Sequence, residues 1–345
     1  TEYGETFVCR LLDSGKKFLD LEECNFLGRN LELMKRAITL SHGMVLVTGP
    51  TGSGKTTTLY SMLQQFNRPE VKIVTLEDPI EYHLKGITQS QINEKRGYSF
   101  ASGLRSILRQ DPDVMMVGEI RDLETAETAA QAALTGHVLL STLHTNSALE
   151  TLPRLINIGL PAFMVAPSLH MVVAQRLVRK LCDQCKQKKP ITEVEREELT
   201  KICEEIKRID TSVKCEIPTE LWHPRECKVC SHTGYSGRIG IHEILVVDDA
   251  MRELILKEAS PTELFEKARA QKMLTLKEDG MLKVLAEKTT LEEVHRVTTV
   301  LSDPAEPVTL SLSKGTEPIV SVNPSVSPDV APQPEIPNQP VELQK

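Results

Sequence analysis

Hydrophobic positions fall along the chain in short blocks that alternate with stretches of helical period. Between residues 31 and 180, the apolar runs "MVLVTG" (44–49), "VKIVTLED" (71–78), "DVMMVGE" (113–119) and "HVLLSTLH" (137–144) predict strands. "KTTTLYSMLQQF" (55–66), "ASGLRSILRQ" (101–110), "LETAETAAQAALTG" (123–136) and "ALETLPRLINIG" (148–159) predict helices. Such alternation implies an α/β core with a parallel sheet covered on both faces. Val114-Met115-Met116-Val117 is apolar throughout, as a strand buried on both faces requires. Residues 240–300 read as helical, with "AMRELILKEAS" and "TLEEVHRVTTVL" as amphipathic pieces. The expected organisation is the end of an upstream domain and a linker (1–20), the α/β core (21–180), a Cys- and Lys-rich subdomain (181–232), a helical subdomain (233–302) and a tail (303–345). The last 43 residues hold 9 of the 20 prolines and no aromatic residue, which predicts disorder there.

Composition narrows the class. A chain of 345 residues can build about two domains with real cores. It opens in mid-pattern at Thr1, so an N-terminal part is expected to precede it. The net charge of −7 disfavours a nucleic-acid partner. The longest apolar stretch, "AFMVAPSLHMVVAQRLV" (162–178), contains His170, Gln175 and Arg176 and is too short to span a membrane. Eight cysteines in such a chain suggest a reducing compartment with metal use.

The chemistry begins at "VTGPTGSGKTTTLY". Gly49-x-x-x-x-Gly54-Lys55-Thr56 is the P-loop pattern, set between a predicted strand and a predicted helix. Backbone N–H groups of Gly49, Pro50, Thr51, Gly52, Ser53, Gly54, Lys55, Thr56 and Thr57 (Pro50 excepted, which has none) and the helix start would cradle the phosphates of ATP. Lys55 would reach the β/γ-phosphates, and the Thr56 hydroxyl would bind Mg²⁺.

In a parallel α/β sheet, ligands gather at the carboxyl ends of the strands. Those ends carry the P-loop, Glu77-Asp78-Pro79 followed by Glu81, Gly118-Glu119, and His144. Glu119 is expected to act as base or to position the attacking water. Its alternative is a structural ion pair with Arg121. Gly118 is expected to leave space where many P-loop enzymes place an Asp, and Glu77 or Asp78 to supply the missing Mg²⁺ carboxylate. His137 and His144 bracket one strand and lie roughly 23 Å apart if it is fully extended. His144 is therefore expected at the nucleotide edge and His137 at the opposite one, in packing or a subunit contact.

These segments together resemble the type II secretion / type IV pilus assembly ATPases of the GspE/PilB type. "LRQDPDVMMVGEIRD" (108–122) resembles that family's signature, and "EDPIEY", "GITQSQIN", "TGHVLLSTLHTNSA" and "AQRLVRKLC" its other conserved boxes. The resemblance spans roughly residues 1–300. It implies a RecA-like P-loop core in a homohexameric ring. The ring would be cytoplasmic and peripheral on the inner face of the cytoplasmic membrane. Its partners would be an inner-membrane platform protein and accessory proteins of a pilus or secretion machine. On this resemblance Glu119 is the catalytic glutamate, Glu77 the aspartate-box glutamate, and His137 and His144 the histidine box. Arg10 in "GETFVCRLLD" matches an arginine acting on the neighbouring subunit. The family's second basic residue there is not matched, since Thr6 follows Gly4-Glu5.

Cys182-x-x-Cys185 and Cys227-x-x-Cys230 are two knuckles separated by 41 residues. Two such pairs close a tetrahedral thiolate shell around Zn²⁺, and Lys180, Lys186, Lys188 and Lys189 would offset its charge. Many assembly and secretion members of the resembled family carry this tetracysteine, and retraction motors lack it. Cys9, Cys24, Cys203 and Cys215 are expected to be ordinary thiols, and His223 and His232 surface residues. Two other function classes compete: a DNA-uptake or other nucleic-acid motor, and a nucleotide-binding scaffold that does not hydrolyse.

Overall fold

The structure, a computed structural model, describes Glu5 and residues 20–299. Helix α1 (Gly28–Ala37) leads into β1 (Gly43–Thr48), α2 (Lys55–Phe66), β2 (Ile73–Glu77) and β3 (Thr88–Gln91). Next come α3 (Phe100–Leu108), β4 (Val114–Val117), α4 (Leu123–Leu134), β5 (Val138–Leu143), α5 (Thr151–Ile158) and α6 (Ala162–Ser168). The long β6 (Leu169–Leu181) is followed by β7 (Gln187–Pro190), α7 (Glu193–Ile209), β8 (Glu220–His223) and β9 (Tyr235–Val246). Helices α8 (Asp249–Leu256), α9 (Pro261–Ala270), α10 (Leu276–Leu285) and α11 (Leu291–Thr298) complete it. Arg10, Cys9 and the tail 303–345 lie outside the described residues.

Seven strands form one sheet in the order β3-β2-β4-β5-β1-β6-β9. Every adjacent pair is parallel except β6 and β9. Side chains alternate between two apolar layers. Met44 and Leu46 join Leu76, Val117 and Leu139 on one face. Val45 and Val47 join Leu59, Leu63 and Leu140 on the other. Burial on both faces explains why these strands read as unbroken apolar runs.

The four expected strands form, and the rest of the sheet corrects the sequence reading. "TQSQ" (88–91), polar and only partly covered, is the edge strand β3. The apolar stretch 162–178 is split between α6 and β6. The expected helical subdomain from 233 begins with β9, which pairs antiparallel with β6 from Met171↔Val246 to Leu181↔Tyr235. The parallel sheet is therefore mixed at this edge. Apolar spacing in "IGIHEILV" suits either period, and a partner strand distant in sequence decides it. True helices start at Asp249. Thr192 with Glu195, Ser260 with Glu263 and Thr275 with Glu278 form capping boxes that start α7, α9 and α10.

A third apolar cluster joins Leu199, Ile202 and Ile206 of α7 to Leu221, Met281, Val284 and Val294, so α7 and the C-terminal helices share one core. Cys203 and Cys215 lie in this cluster and form a disulfide, which corrects their reading as ordinary thiols. Helix α11 is held to β6 through Glu293, whose carboxylate accepts from Arg179 and Arg296. Burial works to raise this carboxyl, but the two arginines outweigh it and hold it at about 2. Among the described residues, no helix is long and apolar enough to cross a membrane.

Candidate nucleotide site and thiolate cluster

Strands β2, β4, β5 and β1 are neighbours in the sheet, and their carboxyl ends form one continuous edge. The P-loop leaves β1 there and enters α2 at Lys55. Two glycines are required by the space. A Cβ on Gly49 (φ +150°) would lie 2.5 Å from the Gln175 carbonyl, and one on Gly54 (φ +90°) 2.8 Å from the Gln175 amide nitrogen. Lys55 Nζ donates to Gly49 O at 2.8 Å and to Pro50 O at 3.1 Å. Burial lowers the Lys55 ammonium from its usual range, Glu119 opposes that shift and Arg176 adds to it. Among the described residues Ser53 Oγ, buried in the loop, has no hydrogen-bond partner, which suits a loop that wraps an oxygen-rich ligand.

Glu77 ends β2 and is buried. Tyr60 Oη donates to its Oε2, while Thr75 Oγ1 (2.5 Å) and Gln89 Nε2 (3.0 Å) donate to its Oε1. Three donors thus fix the carboxylate, and neither Tyr60 nor Gln89 was singled out in the sequence. Burial, with Glu77 beside it, pushes the Tyr60 phenol far up, so it stays a donor. A small cavity of about 80 Å³ lies next to this group, lined by Thr56, Glu77, Asp78, Glu81 and Glu119. A hydroxyl and several carboxylates converging on one small space form an oxygen-rich donor set that fits a hard cation such as Mg²⁺.

Glu119 follows Gly118 at the end of β4. Its Oε1 pairs with Arg121, and its Oε2 is 3.7 Å from His144 Nε2. The alternative reading of Glu119 as an ion-pair residue therefore has its partner in place, and His144 reaches the same carboxylate. Burial and Lys55 lower the His144 imidazole, and Glu119 acts in the opposite sense. A Cβ at Gly118 would press on the Leu76 carbonyl at 3.3 Å and touch the Phe100 ring at an ordinary 3.5 Å, and Gly118 is among the residues lining the small cavity. His137 lies at the far end of β5, where its Nδ1 is 3.1 Å from Ala132 O.

Beside the first turn of α2 a second cavity, of about 370 Å³, is lined by Gly54, Thr57, Thr58, Tyr82, Leu177 and Ile239. The sheet also brings in residues that sequence reasoning passed over. Gln175 and Arg176 of β6 back the P-loop, and Glu243 of β9 reaches the loop after β5. Their only signal was a polar pair interrupting an apolar stretch.

A model of the Type II/IV secretion system proteins matches residues 1–296. The chain belongs to this family. It is 47% identical over 298 residues to the Type II secretion system protein E of Aeromonas hydrophila, covering 86% of this chain and 57% of that protein. The Type IV pilus assembly ATPase PilB of Pseudomonas aeruginosa is 45% identical over 298 residues, covering 86% of this chain and 51% of that one. The chain thus spans little more than half the length of these family members. Among solved structures, the pilus retraction motor PilT with bound ADP superposes with a TM-score of 0.59 at 29% identity, covering 86% of this chain and 70% of that one.

A tetracysteine is assembled where β6 ends and just before β9 begins. The Sγ atoms of Cys182, Cys185, Cys227 and Cys230 all lie within 4.8 Å of one another. The pairs Cys182–Cys227, Cys185–Cys230 and Cys227–Cys230 are 4.0, 3.8 and 3.6 Å apart. Zinc–thiolate bonds of about 2.3 Å in a tetrahedron put sulfurs roughly 3.8 Å apart, so the cluster has the size for Zn²⁺. Burial works to raise the Cys230 thiol, but backbone groups at Cys227 and Gly234 together with the Cys227 and Cys185 sulfurs bring it to about 6, while burial and the neighbouring thiols push Cys185 up to about 12. Three of the four lysines expected to offset the thiolate charge have other partners. Lys180 pairs with Asp183, and Lys186 and Lys188 lie over the Trp222 ring. His232 is exposed, whereas His223 is half-buried in β8 with its Nε2 enclosed.

Proposed function

We propose that this chain is the ATP-hydrolysing part of a hexameric motor that powers pilus assembly or type II secretion. It would work in the cytoplasm, peripheral to the inner membrane. The observation that carries the reading is the convergence of the P-loop, Glu77, Glu119 and His144 on one edge of four adjacent strands. Lys55 would leave the Gly49 and Pro50 carbonyls for the β/γ-phosphates, and the cavity beside α2 would take the nucleoside. Thr56, with Glu77 or Asp78, would hold Mg²⁺, which when bound neutralises charge on the phosphate oxygens. Glu119 would hold the attacking water and accept its proton, and His144 would face the γ-phosphate. Arg10 would act across a subunit boundary.

Hydrolysis of ATP by the purified chain, measured as phosphate release without DNA, tests the reading. Lys55→Ala is expected to weaken binding of a fluorescent ATP analogue by at least about tenfold, since it removes the one mobile cation of the loop. Unchanged binding would overturn the loop assignment. A requirement for DNA would favour a nucleic-acid motor instead.

The thiolate cluster would hold one structural Zn²⁺. Elemental analysis of protein kept reduced should give about one zinc per chain. Cys182→Ser should release it and loosen residues 181–232, read as faster amide exchange there, while the P-loop core stays protected. Zinc-free protein with an intact fold would sink this assignment.

A further inference from the structure

Strand β6 passes behind the P-loop, and its Gln175–Arg176 step sends one polar side chain to each face. Gln175 Oε1 accepts from Thr58 Oγ1 of α2 at 2.7 Å. The Gln175 carbonyl is the atom that excludes a side chain at Gly49. Arg176 Nη1 donates to this same carbonyl at 3.3 Å. Its Nη2 donates to Asn146 O at 3.1 Å and to Asn146 Oδ1 at 3.2 Å. Asn146 is two residues beyond His144. One guanidinium therefore joins the strand that backs the phosphate loop to the segment that carries His144.

The same segment is held at its far end. Ala148 N–H donates to Glu243 Oε1 at 2.7 Å, and Glu243 also accepts from the Leu276 N–H at the start of α10. Both charged residues are only 6% exposed. Among the described residues neither has an oppositely charged partner within 4.0 Å; Glu150 and Glu243 act on Arg176 only at longer range, and the direct contacts of both residues are to backbone and amide groups of this loop and its supports. Burial works against both charges: it lowers Arg176 and lifts Glu243 to about 7. Apolar residues would fill these places in the sheet at lower desolvation cost, as Ala174 and Val178 do nearby.

We propose that Arg176 and Glu243 are positioning residues for the hydrolytic step, clamping the loop 144–148 against the strand behind the P-loop so that His144 stays beside Glu119. This rests on the ATPase reading above. The clamp touches no reacting atom. It acts through Asn146 and Ala148, and its loss lets His144 drift. A displacement of about 1 Å at such a group can cost on the order of 10²-fold in rate.

The experiment compares wild type, Arg176→Gln, Arg176→Lys, Asn146→Ala, Glu243→Ala and Glu243→Gln in single-turnover ATP hydrolysis, fluorescent ATP-analogue binding and thermal melting. Arg176→Gln and Glu243→Ala should each slow the hydrolytic step by roughly 10- to 100-fold, and Asn146→Ala by less, because the Asn146 carbonyl still accepts from Arg176. Nucleotide affinity should change by less than about threefold, because the P-loop donors remain. Glu243→Gln keeps an oxygen for Ala148 N–H and should recover most of what Glu243→Ala loses. Asn146→Ala removes only the Oδ1 contact, so Arg176→Lys, which keeps the cation but loses the fork that reaches Gln175 O and Asn146 together, decides the question if the other buried replacements fail to fold. A folded Arg176→Gln or Arg176→Lys with a wild-type hydrolytic rate overturns the clamp while leaving the ATPase reading intact. Loss of affinity in proportion to rate also overturns it, because the residues would then be supporting binding alone. Absence of hydrolysis in the wild type ends the ATPase reading, and this inference with it.

Discussion

Glu119→Gln is expected to bind ATP about as well as the wild type and to hydrolyse it roughly 10²–10⁴ times more slowly. The amide keeps the size of the side chain and can still accept from Arg121. It cannot take a proton from water, nor hold that water with the same charge. The alternative, a structural role through the Arg121 pair, makes a different forecast. Arg121 is 64% exposed, so this pair is worth at most about 1 kcal/mol of stability. A purely structural Glu119 would show a small loss in melting temperature, no loss in rate, and the same phenotype as Arg121→Ala. Single-turnover hydrolysis beside thermal melting separates the two, and near-normal turnover in Glu119→Gln ends the catalytic assignment.

The parts of this site that were legible in the sequence are those whose geometry is local. Gly49 to Thr57 fold as one loop and helix start, and each cysteine knuckle is a four-residue turn. Glu77, Glu119 and His144 could be placed at one edge because parallel connections return every strand in the same direction. Four features were illegible because long-range packing decides them. Strand β9 depends on a partner some 60 residues away, and "IGIHEILV" alone cannot choose between the two periods. The backing of the P-loop by Gln175 follows from β6 lying next to β1. Phe100 packs beside Gly118, from a helix whose docking no local pattern reveals. Cys203 and Cys215 meet because the chain after α7 folds back on that helix, a consequence of the shared core and not of their spacing.

Activity is expected to require assembly, with Arg10→Ala costing roughly 10³–10⁵ in rate, the worth of an arginine supplied to a transferring phosphoryl group by a neighbour. The cations at the described edge are already engaged. Arg121 is paired with Glu119, Arg176 with Asn146, and Lys55 is the loop's own lysine. Specific activity should therefore rise steeply with protein concentration, and Arg10→Ala should still bind ATP. Mixing Arg10→Ala with Glu119→Gln gives the stringent result. Each parent is inactive, but a mixed ring contains boundaries where an intact Arg10 faces an intact Glu119, so some hydrolysis should return. If mixed rings form, as seen by exchange of labelled subunits, and remain as inactive as either parent, Arg10 does not act across the boundary.

The thiolate cluster sits where β6 ends and just before β9 begins, and these two strands are laced to each other along most of their length. Topologically, everything between the knuckles is a detour that leaves the sheet and returns to nearly the same point. The metal would serve as the collar of that detour, so the sheet need not register what is hung beyond it. Closing a longer loop adds only about 0.6 kcal/mol per doubling of length. The excursion carrying α7, β7 and β8 can thus change length in its loops at little entropic cost, while α7 itself stays tied to α10 and α11 through the third apolar cluster.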